Sequence, residues 1–341
     1  MKPQRWCLGA LGALLVVWVV SALLLDTVAP LAHAPGLDRY IPRPGTLVRH
    51  RSEGWATTHV GRFGINGVED ILAEPGPRIA IWGDSFVDAL QVDDRHKTAQ
   101  ALTGLLRASG LTATAFAVGG GGLSPADYPA LMAAYERVVP GIAAHVIVLG
   151  EDDDLQANLA RPCHASLHSN PPRLEGETCP PSEAALRLTP LIHKAELAFA
   201  YSLFARLRGR DWHLLPRLGP AAEAAPIAAP IAAPIAAWEY LVRELQRQAG
   251  APLVFAYFPR MSLPGEPAAA PEVDVDAFAA ICKASGVAFL NLSQAELDHF
   301  HATGRTARGF FNSPPGAGHL NATGHGLLAQ SLFTFFRERL Q

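Results

Sequence analysis

Runs of basic residues are missing from this chain of 341 residues, as is any interleaving of aromatic with basic side chains. Lys and Arg total 28 against 31 Asp and Glu, a net charge of −3. That balance excludes the positive stripe that tracks a phosphate backbone, so no nucleic acid is expected as a partner. Cysteine is scarce, with four in the whole chain. Cys163, His164 and His168 stand close together, but their spacing matches no usual zinc pattern, and no metal is expected. The glycine run Gly119–Gly122 lacks a G-x-G-x-x-G setting and has no Lys-Ser/Thr after it, which removes nucleotide binding. No cofactor is implied.

Apolar residues are plentiful, at 49% of the chain, enough for one medium domain with a full core plus appendages, or for two small domains. Trp6 to Leu25 is an uncharged apolar stretch of about the length that spans a bilayer as a helix. Lys2 and Arg5 precede it and Asp26 follows, so the positive-inside rule keeps the N-terminus cytoplasmic and exports the rest. A cleaved signal sequence is the alternative, because Ala32-His33-Ala34 has the small-x-small form of a cleavage site. Either way the remainder meets an oxidising compartment. There Cys163 and Cys179, which bracket a polar, proline-containing loop, can close it as a disulfide. Cys282 lies in a helical pattern and reads as an inert core thiol.

The chain divides into residues 1–26, the membrane anchor or signal sequence; 27–74, a Pro- and Gly-rich tether and irregular lead-in; and a domain over 75–341. Within that domain, short apolar runs at 78–84, 113–118, 145–150, 252–258 and 287–292 suit buried parallel strands. Helical stretches fall between and after them, at about 96–109, 125–138, 183–209, 237–249, 274–285 and 322–339. Strand and helix in turn predict an α/β fold: a central parallel sheet of about five strands, covered on both faces. Insertions at 155–182 and 220–237 interrupt it; the second carries APIA three times, and proline at that frequency forbids a helix or a central strand.

In open parallel sheets, functional groups gather at the carboxyl ends of strands. The first expected strand ends in Gly83-Asp84-Ser85, where glycine permits a tight turn and the serine hydroxyl is presented at the start of a helix. A serine there is either a nucleophile or a helix cap. The second ends in the Gly119–Gly122 run, whose bare backbone can offer N–H groups. The third ends in Gly150-Glu151-Asp152-Asp153-Asp154, an acid cluster that is either solvated or used. Near the far end, His319 stands in a loop just before a helix, free to point into a shared pocket, while His325 falls in the first turn of that helix and reads as structural.

These four blocks, in this order and at these element boundaries, resemble the SGNH (GDSL-type) hydrolases over residues 75–341. The lead-in from Gly61 is similar to that of their membrane-anchored bacterial members. The resemblance implies a flavodoxin-like three-layer α/β/α fold behind an N-terminal transmembrane helix, placed in a bacterial inner membrane with the catalytic domain on the periplasmic side. It implies Ser85 as nucleophile, His319 as general base, and the backbone N–H groups of Ser85 and Gly120 as oxyanion donors. Two positions depart from the pattern. An aspartate three residues before the histidine is expected, and Gly316 stands there. An oxyanion asparagine is expected where Asp152 or Asp153 stands, and an ionised carboxylate only accepts hydrogen bonds. A backbone carbonyl, Asn312 or a carboxylate among 152–154 is then needed to orient His319, and Asp152 or Asp153 is the favoured source.

The implied function is a membrane-tethered, extracytoplasmic esterase that removes acyl groups, acetyl foremost, from a glycan or glycolipid. Two alternatives stand beside it: transfer of the acyl group to an exopolysaccharide hydroxyl, and a catalytically inactive envelope binding or assembly protein. The expected partners are an acylated substrate and the membrane, with no protein partner indicated.

Overall fold

The structure, a computed structural model, describes residues 3–27, 29–150, 152–158, 163–176, 179–197, 235–261 and 274–340. It opens with helix α1 (Pro3–Leu24), whose leucines and valines are exposed along its length. Its segment Cys7–Leu24 is long and apolar enough to cross a membrane, or to serve as a signal sequence.

Two antiparallel hairpins follow: β1 (Leu31–Ala34) with β2 (Arg39–Pro42), and β3 (Leu47–His50) with β4 (Ala56–His59). This corrects the expectation of an irregular lead-in. The strands are four residues each, too short for alternation to show against the surrounding proline and glycine.

The central sheet then begins. Along the chain come β5 (Arg78–Gly83), α2 (Ser85–Asp88), α3 (Thr98–Ala108), β6 (Thr114–Gly119), α4 (Tyr128–Val138) and β7 (Ile142–Leu149). A small hairpin, β8 (Ser166–Ser169) with β9 (Pro172–Glu175), and helix α5 (Glu183–Lys194) interrupt the pattern. Cys163 and Cys179 are joined as a disulfide around that hairpin. The alternation resumes with α6 (Ile235–Gln248), β10 (Leu253–Tyr257), α7 (Val275–Ala284), β11 (Ala288–Asn291), α8 (Ser293–Thr303) and α9 (Ala322–Arg337). Of the expected 220–237 insertion, residues 220–234 lie outside the described residues, as does the part of the expected 183–209 helix beyond residue 197. Residues 235–237 open α6, a correction to the non-helical reading, made possible because no proline follows Pro234 there.

All five central strands are parallel, in the spatial order β11-β10-β7-β5-β6. Their runs are mostly apolar because both faces are covered, with His145 of β7 a buried polar exception. Ile79 and Ile81 of β5 pack with Leu102 and Leu106 of α3 and with Leu328 and Leu332 of α9. Ala80 and Trp82 point the other way, into a core with α4, α6 and α7. All four of these β5 residues are fully buried. In order along the chain, the sheet reads two-one-three-four-five, the flavodoxin-like winding. The chain leaves β5 on one side for β6 and returns on the other for β7. The helices after β5 and β7 therefore cover opposite faces, and a crevice opens at the carboxyl ends of these two strands.

Candidate active site

Ser85 lies at that crevice. Trp82 and Gly83 end β5, Asp84 turns the chain, and Ser85 begins α2. The turn is packed hard against β6: a Cβ on Gly83 would come within 2.2 Å of Val87 Cγ2, and one on Gly119 within 2.2 Å of the Asp88 nitrogen. The helix cap is supplied by Asp84, whose Oδ1 accepts from the Phe86 N–H at 2.8 Å. The hydroxyl of Ser85 is thereby spared that task. It meets His319 Nε2 at 2.8 Å instead.

His319 arrives on the loop before α9. Asn321 caps that helix by accepting from Thr323 and Gly324, and its amide group ties the loop to the carbonyls of Thr306 and Gly309. Arg308, almost fully buried, clasps the whole corner. Its guanidinium donates to the carbonyls of Gly150 after β7, Phe258 after β10, and Gly318 beside the histidine. It also lies over the Phe86 ring at 4.4 Å, and Phe86 in turn flanks the imidazole at 5.3 Å.

The group that faces the far side of the imidazole is Glu53, in the turn between β3 and β4. Its Oε2 sits 2.5 Å from His319 Nδ1, and its Oε1 accepts the backbone N–H of His319 at 3.0 Å. This corrects the expectation that a carboxylate among 152–154 orients the histidine. Asp154 is turned inward, accepting from the Gly150 N–H at 2.8 Å. The side chains of Asp152 and Asp153 lie outside the described residues, and their backbone forms a short 3-10 turn. Asn312 does not touch His319 in the way proposed either; it holds the Glu53 turn, accepting from Gly54 N–H at 2.8 Å and donating to the carbonyls of Arg51 and Gly54.

Two glycines in the histidine loop explain how Glu53 gets in. Gly318 has φ +72, and a Cβ there would stand 2.1 Å from Glu53 Oε1. Gly316, which takes the place of the expected aspartate, also has positive φ, at 73. The loop is bent and bare where the carboxylate enters.

The arrangement is a hydroxyl, an imidazole and a carboxylate in line, with the carboxylate fixing the ring so that Nε2 can accept the serine proton. Gly120 follows β6 directly, next to Gly119, which packs on α2. Gly120 is thus one residue beyond the glycine that packs on α2, and its own Cβ position faces Leu123.

No protein-family model and no curated protein matches the chain. Solved structures do. One is a catalytic mutant of an acetylxylan esterase from Geobacillus stearothermophilus, at 14% identity over 78% of this chain and 95% of that one, with a TM-score of 0.40. Another is the psychrotrophic esterase EstA from Pseudoalteromonas sp., at 11% identity over 78% and 99%, TM-score 0.39. A third is a member of the lipolytic G-D-S-L family from Veillonella parvula, at 12% over 77% and 99%, TM-score 0.37.

Beneath α2 lies a second polar group that sequence reading missed. Asn66 donates to the backbone and side chain of Asp88. Lys97 Nζ donates to Thr58 Oγ1 at 2.8 Å and to the carbonyl of Ala89. Burial pushes the Asp88 carboxyl up and the Lys97 ammonium down to about 8. Asn66 and Thr58 come from the lead-in, so this segment props α2 as well as supplying Glu53. His325 is structural, as expected: it is buried against Thr98 Oγ1 at 2.8 Å, and burial pulls it down to about 3. Among the described residues, no group of three or more His, Cys, Asp or Glu could hold a metal ion.

Proposed function

We propose that this protein is a serine esterase, in which Ser85 attacks an acyl ester, His319 accepts the hydroxyl proton, and Glu53 holds the imidazole in the productive tautomer. The observation that carries the reading is the pair of contacts on one ring: Nε2 to Ser85 Oγ at 2.8 Å and Nδ1 to Glu53 Oε2 at 2.5 Å. The attack forms an acyl-enzyme and an oxyanion, which the N–H groups of Ser85 and Gly120 stabilise by roughly 3 kcal/mol each. His319 returns the proton to the leaving alcohol, and water or another hydroxyl then takes the acyl group.

Export behind α1 supports an envelope or secreted polymer as substrate, with an O-acetylated glycan or glycolipid foremost. Of the two departures that favour an inactive binding protein, Glu53 beside Nδ1 speaks against the first, the missing acid partner; the second, an aspartate where an oxyanion asparagine is expected, stands.

The test is a burst assay on the full chain in detergent, with p-nitrophenyl acetate and intact-mass detection of the acylated protein. Wild type should carry one acetyl group and Ser85→Ala none. An unacylated wild type, or an acylated Ser85→Ala, refutes the assignment. Sugar acceptors added to the acetylated protein separate hydrolysis from transfer: faster turnover with accumulation of acetylated sugar identifies a transferase.

A further inference from the structure

The ladder of the β3–β4 hairpin ends at the His50–Ala56 pair, so residues 51–55, which carry Glu53, lie beyond its last rung. Backbone polar groups there need partners from elsewhere. Asn312 serves one side of the turn, through Arg51 O and both polar groups of Gly54. The other side is served by Asp26. Its Oδ1 accepts the backbone N–H of Arg51 and that of Ser52, the latter at 3.0 Å. Asp26 stands two residues after the last residue of α1, and its own placement is fixed. Thr27 pairs with Arg49 of β3 through N–H to carbonyl at 2.9 Å and through Oγ1 at 2.7 Å. The guanidinium of Arg51 reaches back to the carbonyl of Leu23 at 3.3 Å, one of the orphan carbonyls at the end of α1.

We infer that Asp26, at the exit of the apolar helix, is a positioning residue for Glu53, and through Glu53 for His319. Removing its acceptor frees the N–H groups of Arg51 and Ser52, the two residues immediately before Glu53, and lets the carboxylate drift from the imidazole. Asp26 touches neither the imidazole nor the serine; it acts through the turn. The end of the anchoring helix and the catalytic acid form one hydrogen-bonded unit, so the helix does more than tether. This inference rests on the proposed esterase function.

The test is a double-mutant cycle on the full chain in detergent micelles, reading kcat and KM for p-nitrophenyl acetate. Asp26→Ala should lower kcat roughly tenfold or more with KM unchanged, the loss expected when a reacting group is misplaced by a fraction of an ångström to an ångström. Asp26→Asn, which keeps an oxygen acceptor, should stay within about threefold of wild type. In a Glu53→Ala background, adding Asp26→Ala should cost no more than about twofold further, because the group it positions is gone. Equal losses in both backgrounds mean that Asp26 supports the fold in general and overturn the inference. So does an Asp26→Ala variant as active as wild type, or an Asp26→Asn variant as impaired as Ala. An inert wild type is seen before any variant is compared and overturns the esterase reading together with this one.

Discussion

Replacing Glu53 by glutamine changes one atom and should nearly abolish turnover, for a reason set by the two ends of the carboxylate. Oε1 faces two donors, the His319 backbone N–H at 3.0 Å and the Ser313 hydroxyl at 3.5 Å. The backbone N–H cannot rotate away, so the amide oxygen of the introduced side chain must stay at that end. The amide nitrogen is then forced to the Oε2 position, where it donates to Nδ1. His319 responds by carrying its proton on Nε2, which turns the ring from acceptor to donor towards Ser85. Locking an imidazole in the wrong tautomer costs on the order of 10⁴ in kcat, or about 5.5 kcal/mol of transition-state stabilisation. The assay is steady-state hydrolysis of p-nitrophenyl acetate by full chain in detergent, with thermal unfolding to show that the fold is intact. KM should change little, because no substrate contact is lost. A folded Glu53→Gln variant within tenfold of wild-type kcat refutes the role of Glu53.

Four further outcomes are expected. Gly318→Ala puts a Cβ 2.1 Å from Glu53 Oε1 at a φ of +72, so kcat should fall about a hundredfold and stability by about 1–3 kcal/mol. Gly104→Ala, in open space on α3, should instead raise the melting temperature slightly. Thiol titration without reductant at pH 8 should find Cys282 only after denaturation, because burial pushes that thiol up to about 12, with Cys163 and Cys179 appearing only on reduction. Finally, His325 is neutral in the folded state down to about pH 3, whereas in the unfolded chain it protonates near 6.5. The unfolded state therefore binds more protons between these values. Its contribution to stability is complete above 6.5 and is lost as pH falls towards 3, by about 2 kcal/mol at pH 5. Denaturant titrations at pH 7 and pH 5 should show the loss, and His325→Gln should flatten it.

The sheet was legible in the sequence because parallel strands covered on both faces are apolar at nearly every position, His145 of β7 being a buried exception. Each of the five expected runs overlaps an observed strand. Helix α8 was not, because its face pattern is weak: Glu296 is its one buried residue. Ser85 and His319 could be picked out because each stands at an element boundary, where a strand or helix pattern breaks. Glu53 could not. It lies 266 residues from its partner, in a turn beyond the end of a four-residue strand, where neither period operates. What signal there was lay in Gly316 and Gly318, bare positions beside a histidine that leave room for a group from elsewhere. Of the acids nearest the expected strand ends, Asp154 is committed to the backbone of Gly150.

The distances along the chain within the site have a consequence for when activity can begin. Ser85 and His319 are separated by 234 residues, and Glu53 and His319 by 266. Contacts of such high order form late, after the intervening sheet has closed. During synthesis or translocation, the acid and the serine emerge before the histidine, which follows Ser85 by 234 residues. A chain that has emerged only past the serine thus has that hydroxyl without the imidazole that meets it in the folded protein. Helix α9 docks against α3, and the loop before it delivers the imidazole to the serine, so the two groups meet only once both elements are in place.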